Sequence, residues 1–268
     1  MGNLCKSKLT KKNIDFRKSL DMNNLSMYHI IEEIGSGAFG KIFIVKNMKS
    51  KKILAMKSLK KKRVIINEIY YYKLKLKHSN LIRYHEIFLE NNEFFIIMDK
   101  FDSDMLDYLV ENNKKIEEVD AKIYVSQILS GLKALEFYDY YHLDIKLENI
   151  LINKNSNHIV LTDFGCMSRI KGFYENIISP VGTKLYAAPE IMNDKIYTRN
   201  SDIWSLGVIT FMMVKNYKLK NGYDKYTIEL NCNDLTDECL DFLLNTLENN
   251  FNNRLTISEC LAHKWLKL

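Results

Sequence analysis

The segment HLDIKLEN at residues 142–149 constrains this chain of 268 residues more than any other stretch. It brings a carboxylate, an ammonium group and a carboxamide together within six positions, as Asp144, Lys146 and Asn149. Asp144 can accept a proton from an attacking hydroxyl, Lys146 can neutralise a moving phosphoryl group, and Asn149 can ligate a metal ion. The main metal-binding carboxylate, Asp163, follows nineteen positions after Asp144 in the sequence IVLTDFG. This combination predicts phosphoryl-transfer chemistry.

A glycine-rich segment, GSGAFG at residues 35–40, stands between two runs of strand-like sequence. Its three glycines permit a tight hairpin whose N–H groups approach a polyphosphate, and Phe39 at the tip can exclude water. A dinucleotide-binding turn joins a strand to a helix, so the position argues against that site. Lys57, in the following strand-like ILAMK, would face phosphate oxygens, and Glu68 on the next helix would keep it in place and charged.

Hydrophobic spacing changes once along the chain, near Lys100. Short strand-like runs dominate from Tyr28 to about Met98, and one helical stretch at roughly 65–77 interrupts them. Helical stripes follow, consisting of Met105, Leu106, Leu109 and Val110, and then of Ile123, Ile128, Leu132 and Leu135, while 203–213 reads as a helix buried on all sides. The predicted class is α+β, with a small, mostly antiparallel N-terminal sheet carrying one main helix and a larger helical C-terminal lobe. The predicted bounds are a flexible basic arm at 1–26 and a domain at 28–268, divided into an N-lobe at 28–98, a hinge at 99–103 and a C-lobe at 104–268.

Composition predicts a globular protein and argues against a membrane-spanning helix, a zinc site and a nucleic-acid partner. Apolar residues make up 47% and charged residues 27%, as in ordinary globular proteins, and the longest nearly apolar run, 203–214, is too short for a membrane-spanning helix of roughly 20 residues. The five cysteines lack metal-ligand spacing, which predicts reduced thiols without disulfides or zinc. The net charge of +6 is concentrated in lysine clusters without an aromatic platform or recognition helix, so no nucleic-acid partner is predicted.

The order of these motifs resembles that of the eukaryotic protein kinases over roughly residues 28–268. The glycine loop, Lys57, Glu68, HLDIKLEN, DFG and YAAPE carry the resemblance. SDIWSLGVI at 201–209 and NRLTISECLAHKWL at 253–266 are most similar to the calcium/calmodulin-dependent group, which includes the calcium-dependent kinases of plants and protists. The resemblance implies a bilobal fold, ATP and Mg²⁺ as cofactors, and protein substrates. Lys146 and Thr183 indicate transfer to serine or threonine.

Matching positions take over the roles that the family implies. The ATP-binding set would be Ile34, Gly35, Ser36, Gly37, Ala38, Phe39, Gly40, Ile42, Ala55, Lys57, Asp99, Phe101, Asp104 and Leu151, with Ile42, Ala55 and Leu151 around adenine and backbone groups of Asp99 and Phe101 at its edge. The catalytic set would be Asp144, Lys146, Lys57 and Glu68, and the metal ligands Asn149 and Asp163. Asp104 would reach the ribose or a basic substrate residue. Met98 would be the gatekeeper, Glu190 would pair with Arg254, and Asp202 would brace the catalytic loop.

Three departures from the family pattern leave two functions open. Leu143 replaces an arginine that in the family receives a phosphate on the activation loop, so phosphorylation of Ser168, Tyr174, Ser179 or Thr183 is predicted to be unnecessary. Glu68 follows Lys57 by only eleven positions, and the substrate-docking motif expected between Val214 and Leu235 is eroded. An active serine/threonine kinase is the main interpretation. A nucleotide-binding pseudokinase scaffold is the alternative.

The first residues suggest how the protein is located. Gly2 and Cys5 could each carry an acyl chain, and lysines at 6, 8, 11 and 12 would add attraction to a membrane, although Lys6 replaces the usual Ser or Thr of a myristoylation signal. A disordered start is an equal alternative. The expected location is cytoplasmic, with membrane association through Gly2 and Cys5. Neither a calmodulin-binding tail nor EF-hand loops are found, so direct calcium control is not expected, and oligomeric state is left open.

Overall fold

A computed structural model describes residues 20, 24–37, 40–60, 62–112, 116–170, 172, 174–176, 182–215 and 234–267. The chain divides into two compact units: Met1–Lys60 with His85–Ile97, and Lys61–Tyr84 with Met98–Leu268. Strands dominate the first and helices the second, which confirms the predicted α+β class. No helix within the described ranges is long and apolar enough to cross a membrane.

A five-stranded sheet builds the first unit. Its strands are β1 (Tyr28–Gly37), β2 (Gly40–Asn47), β3 (Ile53–Leu59), β4 (Tyr84–Glu90) and β5 (Glu93–Met98), in the order β1-β2-β3-β5-β4. The first three strands pair antiparallel. Alternating apolar side chains on several strands, among them Val45, Met56, Phe88 and Phe95, pack into one core with less than a tenth of each side chain exposed.

Helices and short strands build the second unit. The helices are α1 (Lys62–Leu74), α2 (Met105–Asn112), α3 (Glu118–Glu136), α4 (Pro189–Asp194), α5 (Ser201–Lys215), α6 (Asp237–Thr246) and α7 (Ile257–Ala262). The strands are β6 (Ser103–Asp104), β7 (Tyr140–Tyr141), β8 (Ile150–Asn153), β9 (His158–Leu161), β10 (Ser168–Arg169), β11 (Tyr174–Asn176) and β12 (Ile196–Thr198). Every residue of α5 from Ser201 to Val214 is buried, which confirms the buried helix predicted at 203–213.

The structure corrects details of the helical predictions. Helix α1 ends at Leu74 instead of residue 77, because Lys75 adopts a left-handed conformation with φ 49° that stops the helix. This helix belongs to the same compact unit as the C-terminal helices. Val110 and Ile123 were expected in apolar stripes but are 57% and 40% exposed, because each is rotated away from the buried side of its helix.

Candidate active site

The predicted catalytic loop brings four predicted side chains into one network. The Asp144 carboxylate accepts a hydrogen bond from the Thr183 hydroxyl at 2.9 Å through Oδ1. Its Oδ2 lies 3.1 Å from both the Lys146 ammonium and the Asn149 amide nitrogen. Lys146 Nζ also donates to Thr183 Oγ1 at 2.9 Å, which closes the network. Charge-assisted bonds of this kind fix the carboxylate more firmly than neutral ones.

Thr183 reaches Asp144 because the preceding residue is a glycine. Gly182 has φ 92°, a conformation that favours glycine, and an added Cβ would lie 2.6 Å from the carbonyl oxygen of Leu143. Only glycine therefore allows the two backbones to approach this closely. The segment that precedes α4 is thus placed against the catalytic loop, and Thr183 follows directly.

The buried carboxylate of Asp202, on α5, fixes the backbone of the loop. It accepts hydrogen bonds from the N–H groups of His142 and Leu143, each at 2.8 Å. Leu143 has φ 63°, and these bonds hold it in that left-handed conformation. Burial raises the pKa of Asp202, while the two N–H groups act in the opposite direction. This is the brace that the sequence predicts for Asp202.

His142 connects the catalytic loop to the segment before Asp163. A carbonyl oxygen only accepts, so His142 Nε2 carries the proton of its 2.9 Å bond to the Thr162 carbonyl. Its Nδ1 then accepts from the Asp144 N–H at 3.3 Å. The Thr162 N–H in turn donates to the Asn149 carbonyl at 3.0 Å. Backbone and imidazole therefore hold the two predicted metal-ligand segments side by side.

Asp163 occupies a sharp turn after β9. Its φ is 63°, and its carboxylate accepts from the N–H of Gly165 at 3.4 Å, at the start of a single helical turn, Phe164–Cys166. Asn67 of α1 donates to the Gly165 carbonyl at 2.7 Å, which ties this helix to the turn. The predicted turn at DFG is present.

An aromatic cluster that sequence reasoning missed surrounds Phe164, whose side chain is fully buried. Tyr71 of α1 stacks on Phe164 with ring centroids 3.5 Å apart, and His142 and Tyr84 lie 5.2 Å and 6.3 Å away. The only sequence signal for this cluster was the run of three tyrosines at 70–72, one helical turn after Glu68. The aromatic cluster anchors the DFG turn to both α1 and the catalytic loop.

Glu68 is fully buried and accepts a hydrogen bond from the Tyr84 hydroxyl at 2.6 Å. Burial and the Glu68 charge raise the pKa of both Tyr71 and Tyr84, so the phenols stay protonated and can donate. The ion pair of Glu68 with Lys57 stays a prediction.

Cys166, next to the DFG turn, is a further side chain of this centre that the sequence analysis did not single out. Burial raises the pKa of its thiol to about 12, and the Asp144 and Asp163 charges contribute to the rise. Cys166 is therefore a neutral thiol near the predicted chemistry.

Several of the predicted nucleotide contacts of the first unit, among them Ile42, Ala55 and Lys57, share one face of its sheet. Ile42 is the cross-strand partner of both Gly35 and Lys57, and Ile44 pairs with Ala55 two positions along. Gly40, with φ 151°, is required, because an added Cβ would lie 1.6 Å from the Ser58 carbonyl oxygen. Gly37 pairs with Gly40 to close the hairpin, Ile34 and Ser36 are exposed, and Ala38 and Phe39 lie outside the described residues.

The remaining predicted nucleotide contacts belong to the second unit. Leu151 of β8 is the strand partner of Asp104 on β6. Burial raises the pKa of Asp104, whose carboxylate accepts from the Asp107 N–H at 2.9 Å. In the segment before β6, the Asp99 N–H donates to the Arg83 carbonyl at 3.2 Å. In the same segment, the Phe101 ring lies 6.2 Å from the ring of His158.

The predicted pair of Glu190 and Arg254 is present and fully buried. Two parallel bonds of 2.8 Å and 2.9 Å join the guanidinium to the carboxylate. Arg254 also lies over the Trp204 ring at 5.1 Å. This pair fixes α4 to the segment between α6 and α7.

An apolar cluster surrounds Leu143, at the position of the missing arginine. Leu143 is 6% exposed and packs with Tyr141, Ile170 and Tyr197, while Ile191 lies against the same group. Burial raises the pKa of Tyr141 to about 12, which is consistent with an apolar surrounding. The cluster connects the catalytic loop with residues on both sides of the segment that begins at the DFG turn.

Comparison with known proteins agrees with this arrangement. The family model described as "Protein kinase domain" matches residues 28–266. The chain is 30% identical to serine/threonine-protein kinase cds1 of Schizosaccharomyces pombe over 95% of its length and 62% of the relative's. It is 28% identical to myosin light chain kinase family member 4 of Mus musculus (93% and 69%) and to calcium-dependent protein kinase 4 of Plasmodium berghei (90% and 49%). It thus spans between about half and about two thirds of the length of these relatives. The chain belongs to the protein kinase family, and its relative from Schizosaccharomyces pombe is a serine/threonine-protein kinase, the type that the motifs predict.

Proposed function

We propose that this protein transfers the γ-phosphoryl group of Mg²⁺-ATP to serine and threonine hydroxyls of protein substrates. The observation that carries the proposal is the network in which Asp144 is held by Thr183, Lys146 and Asn149 at distances of 2.9–3.1 Å. A scaffold that only binds nucleotide has no need for a carboxylate held in this way.

Asp144 would receive the proton of the substrate hydroxyl. Its Oδ1 already accepts a hydrogen bond from the Thr183 hydroxyl, so the carboxylate is an acceptor that a hydroxyl group can reach. General-base catalysis of this kind contributes about 10²–10⁴-fold in rate. Lys146, 3.1 Å from Asp144, would offset negative charge on the transferring group. Positioning and electrostatic stabilisation together suffice for phosphoryl transfer.

The residues predicted to bind Mg²⁺ have the right donor atoms. Asn149 uses its amide nitrogen for the Asp144 backbone carbonyl at 2.9 Å and for the Asp144 carboxylate, which leaves the amide oxygen as a ligand atom. Asp163 contributes a carboxylate, and hard oxygen ligands of this kind suit Mg²⁺. When bound, Mg²⁺ would neutralise charge on the ATP phosphates.

The apolar cluster of Leu143 supports activity without phosphorylation of the activation loop. In this chain the buried Leu143 replaces the arginine that in the family binds a phosphate on the activation loop. Its neighbours Ile170 and Tyr197 belong to the segments on either side of that loop. Apolar packing requires no phosphate to form. We therefore expect that replacing Ser168, Tyr174 and Ser179 together by non-phosphorylatable residues leaves transfer activity unchanged, and loss of activity would contradict this.

Transfer of labelled γ-phosphate to a mixed panel of serine, threonine and tyrosine peptides tests the proposed function. Label on serine and threonine peptides is expected. Detectable ATP binding without transfer would favour the pseudokinase scaffold, and transfer to tyrosine peptides alone would contradict the predicted specificity.

We also propose a cytoplasmic location with membrane attachment through acylation of Gly2 and Cys5, both of which lie outside the described residues. Support comes from the two acylation positions and the neighbouring lysines. Gly2→Ala should abolish incorporation of labelled myristate and move the protein to the soluble fraction of cells. Unchanged fractionation of this variant would contradict the proposal.

A further inference from the structure

A strongly basic turn joins β2 to β3 on the first unit. We define the basic turn as residues 46–53, KNMKSKKI, with lysines at 46, 49, 51 and 52 that are all exposed. Within the part of the chain that the structure describes, these lysines form no ion pair. No Asp or Glu occurs in the turn or in residues 24–31, which include the adjacent start of β1. The local charge is therefore not balanced by these segments.

Apolar side chains share the surface of the basic turn. Met48 is 48% exposed and Ile53 is 45% exposed. Ile53 is the cross-strand partner of Lys46, so an apolar and a cationic side chain stand side by side on one face of the hairpin. A surface that combines lysines with exposed aliphatic groups suits the boundary between phospholipid headgroups and acyl chains.

The turn is fixed before any partner binds. The Asn47 side chain accepts hydrogen bonds from the N–H groups of Lys49 at 3.1 Å and Ser50 at 2.8 Å, and the Asn47 carbonyl accepts from the Lys51 N–H at 2.8 Å. Lys51 is left-handed, with φ 62°. Backbone ordering on binding is therefore small, which favours association.

The start of the described chain lies beside this turn. The Met48 N–H donates to the Met27 carbonyl at 2.9 Å, so the segment that follows the predicted basic arm passes directly along the turn. Lys6, Lys8, Lys11 and Lys12 of that arm carry the same sign of charge.

We propose that the basic turn binds anionic phospholipid, with its lysines on the headgroups and with Met48 and Ile53 inserted beneath them. An acidic peptide would be attracted by the lysines but gives no reason for the exposed aliphatic side chains, and a nucleic acid would call for aromatic or base-reading groups, which residues 46–53 lack. This inference does not depend on catalytic activity or on acylation.

A tryptophan reporter in the full, unacylated chain tests insertion. The two native tryptophans, Trp204 and Trp265, are buried, with 4% and 0% exposure, so they give little response to lipid. Met48→Trp is compared with Met192→Trp, because both methionines are 48% exposed and Met192 lies on the other unit. Vesicles of phosphatidylcholine, with or without phosphatidylserine, carry brominated acyl chains that quench tryptophan within the membrane.

Met48→Trp should shift its emission to shorter wavelength and be quenched only by vesicles that contain phosphatidylserine, while Met192→Trp should not respond. No quenching at position 48, or equal quenching at both positions, would overturn the proposal. Quenching that is equally strong without phosphatidylserine would overturn the anionic specificity.

A charge variant separates the contribution of the basic turn to vesicle binding from that of the N-terminal arm. Replacing the lysines at 46, 49, 51 and 52 by Gln should weaken binding to phosphatidylserine vesicles about fivefold for each lysine that contacts the surface. Contact by two or more of these lysines therefore gives a total loss of more than about tenfold. The control replaces four other exposed lysines, at 75, 77, 264 and 267, and keeps the same net charge and the same arm. Equal affinities of the two variants would show that the turn is not the contact. Retained binding to heparin or an acidic peptide with no binding to vesicles would also overturn the proposal.

Discussion

Leu143→Ala tests whether apolar packing holds the catalytic loop to the segment after the DFG turn. Leu143 is 6% exposed and contacts Tyr141, Ile170 and Tyr197. Leucine to alanine changes at buried sites cost about 2–5 kcal/mol, and a site with some exposure belongs in the lower half, so we expect about 2–3 kcal/mol in the free energy of unfolding. We assign about half of this loss to the contact between the catalytic loop and the segment after the DFG turn. That half corresponds to about a tenfold decrease in the population of the active arrangement.

The matched control is Leu109→Ala, since Leu109 of α2 is also 6% exposed and lies outside the Leu143 cluster. Urea unfolding should show a similar loss of stability in both variants. Initial rates of phosphatase-treated protein should fall about tenfold in kcat for Leu143→Ala and stay near the parent rate for Leu109→Ala. Equal rates in the two variants would refute the reasoning, as would a parent protein that is inactive until its activation loop is phosphorylated.

Three further substitutions test single interactions of the site. Asp202→Ala should lower the free energy of unfolding by about 2–6 kcal/mol, measured in urea, because two buried N–H groups lose their acceptor at about 1–3 kcal/mol each; a loss below 1 kcal/mol would contradict the brace. Arg254→Ala should cost about 3–5 kcal/mol in the same assay, because the buried Glu190 charge is left alone, and a neutral effect would argue against the pair. Thr183→Val should lower kcat about tenfold or more by removing a hydrogen bond to the Asp144 carboxylate, whereas Thr183→Ser should keep most activity; equal rates for Val and Ser would show that the hydroxyl is not needed.

Local motifs made part of the site predictable. Asp144, Lys146 and Asn149 fall within six positions, so any loop that turns tightly enough brings them together. Thr183 lies 39 positions after Asp144, and only the resemblance to protein kinases indicated its importance. The role of Gly182, which permits the close approach of Thr183, was not predicted. The dipeptide Gly-Thr alone does not show that its backbone lies against the carbonyl oxygen of Leu143.

Distant contacts that the family motifs do not name were beyond sequence reasoning. Asn67 and Gly165 are 98 positions apart, and nothing in their neighbourhoods shows that α1 and the DFG turn are hydrogen bonded. The departure at Leu143 was recognised, but the apolar neighbours that accompany it were not. The predictions for Val110 and Ile123 were wrong for a different reason: helical spacing placed both in apolar stripes, but each is rotated away from the buried side of its helix, and exposed aliphatic residues are common on protein surfaces.

The most direct measurement is the rate of γ-phosphate transfer from Mg²⁺-ATP to a serine peptide by the parent protein, by Asp144→Asn and by Asp237→Asn. Asp237 is exposed in the first turn of α6, so its substitution makes the same chemical change away from the catalytic loop. The account predicts transfer by the parent and by Asp237→Asn, and a decrease of about 10²-fold or more in Asp144→Asn. Equal transfer by Asp144→Asn, or no transfer by a parent protein that binds ATP, would contradict it.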